Sequence, residues 1–113
     1  MSQPVHNEDT HPIIAKLCLQ SLRAEGQTSS VTFSLRLPKK KRSQFGCQVV
    51  GDGLEVWAGV TEIVGVDSWQ ALRLALEFVK RMLEAESQRG VEFYYFEEPV
   101  QIPELFPCFL TEE

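Results

Sequence analysis

The chain has 113 residues, 43% hydrophobic and 24% charged, with a formal net charge of −5 at pH 7. That length suits one domain with a modest core, and the ordinary apolar share excludes disorder throughout. The acidic balance argues against general affinity for nucleic acid or an anionic membrane.

Met1 to Pro12 are polar, carry two prolines and show no periodicity, so they read as a disordered N-terminal arm preceding a single domain over residues 13–113. The arm has neither a basic n-region nor an apolar h-region, so no secretory signal is expected. No apolar run in the chain approaches the length of a membrane span. Cys18, Cys47 and Cys108 are an odd number of thiols without a C-x-x-C spacing. They fit a reducing, cytoplasmic setting, each as a buried small hydrophobe.

Ile13 to Arg23 is the first expected strand, with Ala15, Leu17 and Leu19 on one face and Lys16, Cys18 and Gln20 on the other. Val31 to Leu37 alternates strictly between apolar and polar residues, and Pro38 ends it. Lys39 to Arg42 reads as a solvated basic loop. Phe45 to Val50 is a third strand, and Gly51-Asp52-Gly53 a tight turn. Leu54 to Val66 is a fourth strand, bent or bulged near Gly59. Short connections between these strands predict an antiparallel meander.

A helix is expected from Asp67 or Ser68, with Asp67 as N-cap and Gln70 completing a capping box. Spacing of 3.6 residues per turn gathers Leu72, Ala75, Leu76, Val79, Met82 and Leu83 into one apolar stripe, which Ala71 and Phe78 widen. Glu77–Arg81 and Lys80–Glu84 are i,i+4 charge pairs. Gly90 is the expected stop. Val91 to Phe96 is a fifth strand, Pro99 and Pro103 break regular structure, and the apolar tail lies on the body. The expected architecture is α+β: an antiparallel sheet of four to five strands packed on one long α-helix.

The segment GVDSWQALRLAL carries a resemblance through Gly65, Val66, Asp67, Gln70, Ala71, Leu72, Leu74, Ala75 and Leu76. It is similar to a family of small bacterial domains of unknown function with the pattern G-V-D-x-x-Q-A-L-x-L-A-L. That resemblance implies a bacterial, cytosolic protein with a sheet-plus-helix fold, and it brings no catalytic residues.

Residue chemistry points away from catalysis. His6 and His11 are the only histidines, both in the arm, so neither a catalytic triad nor a metal site is expected, and no cofactor. Gly51-Asp52-Gly53 precedes a strand, whereas phosphate-cradling loops precede helices. Glu55, Glu62, Glu92, Glu97 and Glu98 read as solvated carboxylates before they read as an acid–base pair. The remaining signal is an acidic, aromatic C-terminal third. From Glu84 to Glu113 there are eight acidic residues and one basic one, Arg89. Phe93 to Phe96 are four consecutive aromatics, of which a strand turns two away from the core. Tyr94, Tyr95, Glu97, Glu98 and Trp69 are therefore the expected contact residues for another protein, of basic character, as in an acidic immunity or inhibitor protein. Self-association into a homodimer is a further expectation. The alternative is a small-molecule-binding module using the open sheet face or a dimer cleft.

Overall fold

Alternation of Val31, Phe33 and Leu35 with Thr32, Ser34 and Arg36 gives one strand face to the core and one to water. A computed structural model describes residues 12–106, and this strand lies near the middle of its sheet. The elements in chain order are β1 (Ile13–Leu22), β2 (Thr28–Arg36), β3 (Lys39–Lys41), β4 (Gln44–Asp52), β5 (Gly59–Gly65), α1 (Ser68–Ser87), β6 (Glu92–Tyr95), β7 (Glu98–Val100) and α2 (Ile102–Leu105).

All pairings are antiparallel. Phe45 and Gly46 pair with β3 on one edge of β4 and with β5 on the other. Val49 to Gly51 likewise lie between β2 and β5. Strands β2 and β3 therefore run end to end along one edge of β4, interrupted at Leu37-Pro38. The spatial order is β5-β4-β2-β1-β6-β7, with β3 continuing the line of β2. Chain from β1 to β5 is the expected meander. Helix α1 then crosses one face, and β6 returns beside β1.

Among the described residues the expectation of four to five strands is corrected to seven, and a second, short helix follows them. Two strands escaped the sequence reading for physical reasons. Lys39–Lys41 pairs with Gln44–Gly46 although it is uniformly charged, because its side chains stay in water while its backbone fills the ladder. Glu98–Val100 contains Pro99, tolerated because, among the described residues, β7 is an edge strand with no outer neighbour needing an N–H. Pro103 sits in the first turn of α2, where the helix has no use for its N–H. Residues 54–58 do not belong to the fourth strand: β5 begins at Gly59, and Gly53–Ala58 form a loop.

Helix α1 is capped as its sequence predicts. Asp67 Oδ1 accepts the Gln70 N–H at 2.8 Å, while Gln70 Oε1 reaches back to accept from the Val66 N–H at 2.8 Å. Its buried residues are Ala71, Ala75, Val79, Leu83 and Glu86, with Leu72, Leu76, Phe78 and Met82 half-buried at the margin. Lys80 and Glu84 pair at 3.9 Å, whereas Glu77 pairs with Arg73 at 2.9 Å instead of Arg81. Beyond the helix, Gly90 takes φ 92°, a backbone state open to glycine, and donates to the Ser87 carbonyl.

The core lies between α1 and the sheet face carrying Leu19, Val31, Phe33, Leu35, Cys47, Val49 and Phe93. The Gly53–Ala58 loop closes one end. Trp57 stacks on Phe33 at 6.3 Å and meets Phe78 edge-on at 5.0 Å. Gly51 leaves room for that indole: a Cβ there would stand 2.5 Å from Trp57 Cζ3. Ile102 and Phe106 are buried, so the described part of the tail lies on the body as expected. Pro12 accepts from the Leu37 N–H at 2.9 Å. The rest of the arm, with His6 and His11, and Cys108 in the tail lie outside the described residues.

Candidate functional site

Strands β6 and β7 form a hairpin in the register Phe93–Val100, Tyr94–Pro99 and Tyr95–Glu98. Only Phe96 and Glu97 remain to make the turn. Their φ values are 52° and 69°, so both occupy the left-handed region. This is the sign pattern of a type I′ turn, which matches strand twist and strongly favours Asn-Gly. For side chains such as Phe and Glu, the left-handed state costs about 1–2 kcal/mol per residue. Arg42, in the β3–β4 turn, is the other non-glycine residue in this region among those described.

Burial does not compensate the strain at the tip. Phe96 is 84% exposed, and its ring leans on the exposed Tyr95 at a centroid separation of 4.7 Å. Glu97 and Glu98 are exposed beside it. Glu92, Glu97, Glu98 and Glu104 make no ion pair among the described residues, whereas Glu55, Glu62, Glu77 and Glu84 each hold a cation. The hairpin tip therefore presents an aromatic pair beside two carboxylates, Glu97 and Glu98, that no cation among the described residues offsets.

The structure brings together only part of the residue set expected from sequence. Tyr95, Glu97 and Glu98 share the tip. Tyr94 faces the opposite side of the same hairpin and donates to Glu92 Oε1 at 3.2 Å. That hydrogen bond, reinforced by the carboxylate charge, raises the Tyr94 pKa above its ordinary value. Trp69 is 79% exposed but stands in the first turn of α1, beside β5 at the far edge of the sheet. It does not join the hairpin surface. Phe96 is the residue the sequence reading passed over. Its signal was the absence of Asn, Asp or Gly where a two-residue turn had to form.

Other chemical candidates have structural employment. Cys47 is fully buried and its thiol donates to the Arg36 carbonyl at 3.2 Å; burial raises its pKa above the ordinary 9.0. Cys18, expected to be buried, is exposed on the open sheet face, because its register partner Thr32 also faces water. Glu55 bridges Arg23 at 2.8 Å and Arg89 at 2.7 Å. Lys41 binds Glu62 at 2.7 Å, so the basic run is tied to its own sheet. A cleft of about 660 Å³ lies between the end of α1 and the hairpin, lined in part by Glu84, Gln88, Phe93 and Ile102. Among the described residues no group of three or more His, Cys, Asp or Glu could hold a metal ion. No helix there is long and apolar enough to cross a membrane.

These features define a small domain with one covering helix, an antiparallel sheet open on its other face, and an acidic, aromatic hairpin tip. The chain belongs to the DUF6968 family, described as a domain of unknown function, whose model matches residues 18–102. No curated protein and no solved structure matches it.

Proposed function

We propose that this domain works by docking another protein through the β6–β7 hairpin tip, without catalysis of its own. The observation that supports this reading is Phe96: a large apolar ring held in water on a backbone that only an unfavourable conformation provides. Strain kept without a folding benefit argues for a role in contact. Phe96 and Tyr95 supply the aromatic anchor, and Glu97 and Glu98 select a basic surface and speed encounter with it. An acidic inhibitor of the immunity type, acting in a bacterial cytoplasm on a basic toxin domain, is the concrete form that best uses these residues. The test is calorimetric titration against the purified basic product of an adjacent reading frame. Phe96→Ala and the Glu97→Lys/Glu98→Lys pair are each expected to weaken binding at least about tenfold, the scale of a truncated hot spot. Undiminished binding by both variants would remove the tip from the interface.

A second reading, a small-molecule-binding module, is favoured by the cleft beside the hairpin, whose walls mix Phe93 and Ile102 with Glu84 and Gln88. Thermal shifts against a metabolite panel test it, since a ligand that prefers the folded state raises the melting temperature.

A further inference from the structure

Among the described residues the outer edges of the sheet are β5, β7, the three-lysine β3 and the Ile13–Leu19 stretch of β1, which β6 does not reach. Strand β7 has three residues and carries Pro99, a combination that blocks pairing with another chain. Strand β5 has seven residues and no Pro, Lys or Arg, and among the described residues it pairs with β4 alone. Its outer edge offers a row of backbone N–H and C=O groups.

The sequence of β5 is nearly a palindrome. Gly59-Val60-Thr61-Glu62-Ile63-Val64-Gly65 reads almost the same in both directions about Glu62. A second copy laid antiparallel on that edge, with the two-fold axis at Glu62, puts Gly59 opposite Gly65 and Val60 opposite Val64. Thr61 then stands opposite Ile63, so every position matches in sheet face and all but this β-branched pair match in residue type. We propose that β5 pairs with β5 of a second copy of this chain, joining two sheets into one.

Two observations support a second copy as the occupant. Val60 and Val64 are 63% and 44% exposed on the open face, and in this register each covers the other's counterpart. Glu62 is the one charge on the strand, and it would face its own mate. Its side chain instead folds inward over Gly46, held by Lys41 at 2.7 Å. The charge that would repel a second copy is thereby drawn off the edge and neutralised. Because the hairpin tip lies at the opposite edge, the dimer would carry two free tips, and the pairing stands independently of what they bind.

Sedimentation of the full chain from micromolar to millimolar concentration tests the proposal. The wild type is expected to approach twice the chain mass of 12.8 kDa. Val60→Lys/Val64→Lys, which sets like charges along the edge, is expected to weaken association about tenfold or more. Register is read separately in a Cys18→Ser/Cys108→Ser background, where the remaining native thiol, Cys47, is buried. Glu62→Cys should form an intermolecular disulfide on mild oxidation, and Val60→Cys, which faces Val64 of the other copy, should not. A wild type that stays monomeric throughout, a dimer unmoved by the lysine pair, or equal cross-linking of the two cysteine variants would each overturn it.

Discussion

Glu86, near the end of α1, accepts the Val56 backbone N–H at 3.0 Å through Oε1. The Glu55 N–H lies 3.1 Å from both carboxylate oxygens. Glu86 is 1% exposed, and it stands where the apolar stripe of the helix continues past Leu83. The carboxylate supplies acceptors that the buried loop backbone would otherwise lack. Replacing it by Ala strands those donors and is expected to lower stability by about 2–3 kcal/mol, the scale of charged hydrogen bonds lost in a buried setting. Glu86→Gln keeps the shape and one acceptor, and its loss should be about half as large. Urea denaturation in a Trp69→Phe background, monitored by Trp57 fluorescence, measures both.

The same loop gives a packing prediction. A methyl group at position 51 would stand 2.5 Å from Trp57 Cζ3 and 3.0 Å from Phe33 Cε1. Gly51→Ala should therefore push the indole off its stack and destabilise the fold by about 1–3 kcal/mol, the range for overpacking a core. Near-ultraviolet circular dichroism should lose aromatic intensity, while far-ultraviolet signal persists.

Thiol chemistry should separate two cysteines. In a Cys108→Ser variant, Cys18 is expected to react with a thiol reagent in the native state and Cys47 only after unfolding. The sign of the pH effect follows from the raised Cys47 pKa. Burial favours the neutral thiol in the folded state, so its contribution to stability is complete below the ordinary value of 9.0 and is lost as pH rises through the higher folded value. Cys47→Ala should flatten that alkaline loss, read from denaturation midpoints on either side of pH 9.0.

The helix was legible in the sequence because its determinants are local: a cap three residues from its partner and a stripe of period 3.6. Strands β1, β2 and β4 were legible through their alternation. What stayed hidden depends on distant partners. Residues 54–58 read as strand from their composition, but Glu86, some thirty positions later, binds their N–H groups and holds them as a loop. Lys39–Lys41 and Glu98–Val100 lack strand composition and form strands because a neighbour's ladder recruits them. The acidic, aromatic character of the tip was visible in residue types. Its separation from Trp69 was not, since that depends on which strands lie at opposite edges.

The central claim is that Phe96 and Glu97 are kept for contact and not for folding, and the stability of Phe96→Asn/Glu97→Gly tests it most directly. Asn-Gly suits the left-handed turn that the hairpin requires. Relief of about 1–2 kcal/mol at each of two positions, less about 0.5–1 kcal/mol for the extra unfolded-state freedom of glycine, should raise unfolding free energy by about 1–3 kcal/mol, measured by chemical denaturation. A variant less stable than the wild type would contradict the account, because the native pair would then be the choice that folding itself prefers.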